Sequence, residues 1–356
     1  MSPSQGTLPR PAMSGKKAVW LAVAFILITV AGLTYVKWWP YYGKALKAIT
    51  EHTIGSSILT GGSESIPSPS WQSAWDYAQA YYKAVWKAAV LGILLGSLVQ
   101  VLIPSGWLLR VLGGRSFKST AIGGLASLPG MMCSCCAAPI AVGLRKKNVS
   151  AGAALAFWLG NPLLNPATLI FMTFVLTWKF TLLRLLFGIA ITFGVSYFAN
   201  RFVKDAAIPE DQVLTAVPAD DDRPFWLRWL RSLGQMLLNV VPAYIIAVLL
   251  LGAARAWLFP SLGEGTGMTI LTLLLFAVAG TLFVIPTAAE IPIVQAFTSL
   301  GFGGSAAGAL LITLPAVSLP SLLMIRRAFP AKVLGLVFGS VVAAGVLSGI
   351  IGSFFL

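Results

Sequence analysis

Residues 127–147 read SLPGMMCSCCAAPIAVGLRKK: an apolar stretch broken at Pro129-Gly130 and again at Pro139, holding all three cysteines of the chain. Unbroken, such a stretch would be one more membrane helix. Broken at membrane depth, it requires neighbouring protein or a water-filled cavity to satisfy the backbone groups that the prolines and glycines release. The composition places it in a bilayer. Of 356 residues, 57% are hydrophobic and 10% charged, with a mean hydropathy of +0.85. A soluble chain carries about 25% charged residues, so the fold class is all-α and polytopic. The net charge of +14 sits in short basic clusters between apolar runs, where loops facing anionic lipid carry them. Nucleic acid is not an expected partner.

Stretches of spanning length lie near 18–36, 81–103, 150–177, 180–200, 231–258, 306–325 and 331–355. The first follows Lys16-Lys17 and, lacking a convincing small-residue cleavage site, reads as an uncleaved anchor helix. Two further stretches, 117–147 and 267–300, are interrupted, the second by Pro286, Glu290 and Pro292. Their surroundings correspond. Pro139 aligns with Pro292 and Pro162 with Pro315 at one common offset, and Pro166 with Pro320 one residue further. The segment VSAGAALAFWLGNPLLNPATLIFM reads as a variant of GSAAGALLITLPAVSLPSLLMI. Two related halves are therefore expected, beginning near residues 81 and 231.

Loop charge bears on their orientation. If 117–147 and 267–300 are re-entrant hairpins and the N-terminus is cytoplasmic, most of the 25 basic residues fall inside. Lys37, Lys44, Arg184 and Arg255 are among those left outside. If both stretches span, the basic residues divide almost evenly, so the positive-inside rule favours hairpins. Each half then crosses an odd number of times, and the second is inverted relative to the first, the architecture of secondary transporters. The expected organisation is a cytoplasmic N-terminus (1–17), a first helix (18–36), an external loop (37–80), a first repeat (81–200), a cytoplasmic linker (201–230) and a second repeat (231–356).

Thiolates are soft ligands. A zinc site normally takes four ligands, and the only histidine, His52, lies in the expected external loop. Two or three thiols alone suit a species of low coordination number, such as copper(I) or trivalent arsenic. In an extended segment Cys133 and Cys135 would share a face; in a helix, Cys133 and Cys136 would. Glu290 alone among the eleven acidic residues sits inside an apolar segment, where a charge costs roughly 2.5–3.5 kcal/mol, and it is the candidate proton-coupling group opposite the thiols. Asn161 and Asn165 lie four apart within a span, with Ser318 and Thr313 at comparable positions of the second half. Asn161, Asn165 and Ser318 join the candidate substrate-binding set with Cys133, Cys135 and Cys136. The spacing Cys133-x-x-Cys136 also fits a membrane thiol oxidoreductase, although no second cysteine pair exists to pass electrons onward.

At CSCCAAPIAVGLRKKNVSAGAALAFWLGNPLLNPATLIF the chain resembles the ArsP/YraQ-type predicted permeases. The Cys-Ser-Cys run, the Gly-Leu-Arg-Lys turn and the Asn-Pro-x-x-Asn-Pro segment carry the resemblance, which spans most of residues 80–356. It implies an efflux permease of a bacterial inner membrane exporting trivalent organoarsenicals, with Cys133, Cys135 and Cys136 meeting the substrate. The expected function is thus transport, not enzymatic catalysis. It needs no cofactor, and in the absence of a Walker-type glycine loop it would be driven by protons instead of ATP. Movement of copper(I) or a small sulfur compound is the alternative within transport.

Overall fold

The computed structural model describes residues 15–61, 67–103, 105–203, 224–259, 269–299 and 303–356, and every regular element among them is helical. α1 (Gly15–Leu33) passes through a π-helical turn (Thr34–Trp38) into α2 (Trp39–Glu51). The first half follows as α3 (Trp71–Leu102), α4 (Ser105–Leu112), α5 (Phe117–Leu125), α6 (Ser134–Lys146), α7 (Ala151–Leu163), α8 (Pro166–Val175) and α9 (Trp178–Ile189), the last continuing through a second π-helical turn into α10 (Ser196–Ala199). The second half is α11 (Phe225–Leu258), α12 (Ile270–Leu282), α13 (Glu290–Ser299), α14 (Gly304–Ala316), α15 (Leu319–Ile325) and α16 (Ala331–Phe355).

Among the described residues, seven helical stretches are long and apolar enough to cross a membrane: Val19–Glu51, Trp71–Leu102, Ala151–Val175, Trp178–Ala199, Phe225–Leu258, Gly304–Ile325 and Ala331–Phe355. They coincide with the seven spans read from the sequence, and their outer faces carry large exposed apolar side chains such as Leu238, Leu250 and Phe354. The expected external loop 37–80 needs correction at both ends, since 37–51 and 71–80 are helical. Charge misled the hydropathy pattern there. Lys37 is buried with partners, Lys44 and Lys47 lie on the exposed side of α2, and Ser70 caps α3 by accepting from the Ser73 amide at 3.0 Å. Similarly α11 starts at Phe225, six residues before the expected boundary. The N-terminal residues 1–14 and most of the expected cytoplasmic linker, 204–223, lie outside the described residues.

Both interrupted stretches are broken helices. Between α5 and α6 a short 3-10 turn (Leu128–Gly130) leads to Met131, whose φ of 48° lies in the left-handed region. Between α12 and α13 the chain is non-helical around Pro286, and Ala288 has a φ of 70°. Side chains from other helices meet the released backbone groups. Trp38 Nε1 donates to the Pro129 carbonyl at 2.9 Å, Asn161 Oδ1 accepts from the Met132 amide at 3.4 Å, and Tyr77 Oη donates to the Val284 carbonyl.

α5 and α6 lie on α7, and α12 and α13 lie on α14. Across the halves, α6 packs on α15 and α13 touches α8, while α3 joins α6 to α11. The α3–α6 crossing needs glycine. A Cβ at Gly92 would stand 2.3 Å from the Cys136 carbonyl oxygen, and one at Gly96 would stand 2.6 Å from that of Pro139. Small residues bring helix backbones close where lipid supplies no hydrophobic drive.

Candidate functional site

Cys133 is the N-cap of α6, with extended backbone, and Cys136 follows one turn into the helix. That geometry selects the helical alternative: Cys133 and Cys136 share a face, with their Sγ atoms 3.0 Å apart. Cys135 points the other way, toward α15, where its Sγ is 3.1 Å from Ser318 Oγ. Ser134 Oγ lies 3.3 Å from the same hydroxyl. All three thiols are free and buried. The structure therefore splits the six candidate binding residues. Cys135 and Ser318 form a contact between the halves, on the far side of α6 from the Cys133–Cys136 pair.

The asparagines sit where prolines have opened the backbone. Asn165 is the N-cap of α8, its Oδ1 accepting from the Ala167 and Thr168 amides at 3.1 and 3.3 Å. Asn161 reaches the first break, and Gly130 packs so close that a Cβ there would be 2.3 Å from Asn161 Oδ1. Both asparagines are 1% exposed. Ser318 plays the corresponding part in the second half, capping α15 in a reciprocal arrangement with Ser321.

Arg184 was expected among the outer loop charges; the structure buries it in α9 at 1% exposure. Proline explains what it does there. The Pro162 carbonyl would ordinarily accept from residue 166 and the Leu311 carbonyl from residue 315, but both of those are prolines without an N–H. Arg184 fills the vacancies, donating to Pro162 O at 2.7 Å, Leu163 O at 3.0 Å and Leu311 O at 2.7 Å. Its Nη2 also pairs with Glu290 Oε1 at 3.1 Å. One guanidinium thus joins α7 and α9 of the first half to α13 and α14 of the second. The sequence signal was present: a lone arginine inside FTLLRLLFGIA meets the same test that singled out Glu290.

Glu290 is 2% exposed, and its second oxygen, Oε2, has no hydrogen-bond partner. It lines a small cavity of about 10 Å³ with Cys133, Thr168, Pro286, Thr287 and Pro315. That is room for about one water. Glu290 of the second half and Cys133 of the first thus line one cavity. On the other side of Pro286, Thr287 and Ala288 lies an open vestibule of about 650 Å³, lined also by Lys44, Asp76 and Arg255. The break before α13 is the wall between the two spaces. Lys37, another residue expected in a loop, is 4% exposed and donates to Tyr41 Oη and to Thr287 Oγ1, each at 3.0 Å.

Chemically, the Cys133–Cys136 pair offers two soft donors. Among the described residues no group of three or more His, Cys, Asp or Glu side chains is placed to hold a metal ion. Two sulfurs suit a species that needs only two bonds from the protein.

Comparison with known proteins adds the family context. The ArsP_1 family, described as "Predicted permease", matches residues 70–354. The UPF0718 protein YraQ of Escherichia coli (strain K12) is 51% identical, over 93% of this chain and 94% of its own length. The UPF0718 protein MJ0584 of Methanocaldococcus jannaschii is 23% identical, over 62% of this chain and 79% of its own. No solved structure matches.

Proposed function

This chain belongs to the ArsP_1 predicted-permease family, and from that premise we propose that it is a secondary exporter of small thiophilic species, trivalent organoarsenicals foremost, in a bacterial inner membrane with its N-terminus cytoplasmic. The observation that carries the reading is the Cys133–Cys136 pair. Its two sulfurs sit 3.0 Å apart at a helix break, and Cys133 lines a small cavity with Glu290 of the other half. Methylarsenite, CH3As(OH)2, would exchange its two hydroxyls for the two sulfurs and release two waters. Cys135, Ser318, Asn161 and Asn165 would position α6 and the breaks around that exchange.

The cavity has no room for such a substrate, so the halves must part to admit it. Inverted halves rocking about a central site supply that movement, and the matching packing of the two sets of broken helices supports this arrangement. Arg184 and Glu290 would be the proton-sensitive link. A proton on the partnerless Oε2 cancels the charge that holds Arg184, loosening the contact between halves, and its departure restores it.

Everted membrane vesicles with an imposed proton gradient test the reading through uptake of methylarsenite. Wild-type uptake should be lost in Cys133→Ser/Cys136→Ser and uncoupled from the gradient in Glu290→Gln. Absence of uptake by a well-folded wild type sinks the organoarsenical assignment, and the same vesicles then serve for copper(I) and small sulfur compounds.

The N-cap position of Cys133 and its closeness to Cys136 also favour a second reading, a membrane thiol oxidoreductase. Redox turnover would survive Glu290→Gln and require both cysteines, whereas coupled export loses its gradient dependence with Glu290.

A further inference from the structure

The π-helical turn at Thr34–Trp38 lies outside the family-matched segment 70–354, yet its side chains reach both helix breaks. Trp38 donates to the Pro129 carbonyl of the first, and Lys37 donates to Thr287 of the second. A π-turn inserts an extra residue into a helix and is frequent at functional sites. Lys37 is buried, and its hydrogen-bond partners are the hydroxyls of Tyr41 and Thr287, not a carboxylate.

The direction of these hydrogen bonds follows from the donors. An ammonium only donates, so Thr287 Oγ1 accepts from Lys37 and its own proton is free to point onward. The sulfur that shares the wall of the small cavity with Thr287 is Cys133. Thr287 is held in this pose by an unusual backbone, since the next residue, Ala288, adopts a φ of 70°. A non-glycine residue in that region is strained and marks a site that the surrounding structure over-determines. Two further features favour negative charge on Cys133 over Cys136. Cys133 sits at the N-terminus of α6, the positive end of the helix dipole, and Cys133, unlike Cys136, lines the cavity that Thr287 also lines.

We propose that Lys37 is a positioning residue of the thiol site: through Thr287 it stabilises charge on the Cys133 sulfur and makes Cys133, not Cys136, the thiol that meets an electrophilic substrate first. With a dihydroxy trivalent organoarsenical, the Cys133 sulfur–arsenic bond forms as one arsenic–hydroxyl bond breaks, and the departing hydroxide takes up the proton that Cys133 released on ionising and leaves as water. Cys136 displaces the second hydroxyl in the same way, and no atom changes oxidation state. The assignment of substrate rests on the proposed transport function; the order of the thiols does not.

The test is alkylation of the purified full-length chain by N-ethylmaleimide, with Cys133 and Cys136 followed separately by peptide mass spectrometry. Wild-type Cys133 should be labelled ahead of Cys136. Lys37→Met and Thr287→Val should slow labelling of Cys133 by about tenfold and erase the order, while Lys37→Arg and Thr287→Ser restore it. Should Lys37→Met fail to fold, the Thr287 pair of variants carries the test, since it exchanges one hydroxyl for a methyl. Labelling of Cys136 first, no labelling of the wild type, or Cys133 reacting at the wild-type rate in folded Lys37→Met or Thr287→Val would overturn the proposal. Ordered labelling without methylarsenite uptake would fail the transport reading and leave the thiol order standing. Uptake with unordered labelling would do the reverse.

Discussion

Arg184 meets four acceptors with one side chain, and removing it strands all of them. Breaking a buried ion pair by truncating one partner costs about 3–5 kcal/mol, because the other charge stays buried and unpaired. Arg184→Met should therefore lower the unfolding midpoint in detergent sharply, whereas Glu290→Gln, which keeps an acceptor for the guanidinium, should cost less. The double variant Arg184→Met/Glu290→Leu should be more stable than Arg184→Met alone, since it removes the orphaned carboxylate. A double variant no better than the single would mean that the three carbonyls, not Glu290, are what Arg184 serves. At the same scale, Asn165 is an N-cap with two amide donors. Asn165→Ala should cost about 1 kcal/mol and Asn165→Ser much less, read from the same unfolding curves.

Among the elements, α6 is held from three sides. It lies against α3 through Gly92 and Gly96, against α7, and across to α15. Gly92→Ala places a methyl 2.3 Å from the Cys136 carbonyl oxygen, a clash with backbone that only a shift of α6 relieves. Because that shift moves Cys136 directly, this variant should disturb the labelling of Cys136 by maleimide more than Gly234→Ala, where a Cβ meets nothing within 4 Å. Equal labelling in the two variants would show that α3 does not set the position of the thiols. The π-helical turn in the first span is a second element whose role appears only in its contacts, since TYVKW carries no proline or glycine to announce it.

At the scale of the whole molecule, the question is whether the halves move. Cys135 and Ser318 face each other between α6 and α15, and Ser318→Cys would put two thiols close enough for a disulfide after small adjustment. Once this variant is oxidised, its halves should stay linked on a non-reducing gel when the chain is nicked within 204–223. Methylarsenite uptake should stop and return on addition of dithiothreitol. Uptake that continues in the linked form would place the moving surface elsewhere. The sequence alone determined the seven spans, the two broken stretches and the thiol cluster, because apolar length and the backbone effects of proline and glycine are local properties. Between a helical and an extended thiol segment it left both open, since the choice depends on where α6 starts. The partners of Lys37 and Arg184 were beyond it. A charge in a long apolar run reads as a loop or an interface until its partners are known, and here Thr287 lies 250 residues from Lys37 and Glu290 lies 106 from Arg184. Only the tertiary structure brings hydroxyls, proline-released carbonyls and a carboxylate around those cations, and it is this compensation that makes their burial affordable.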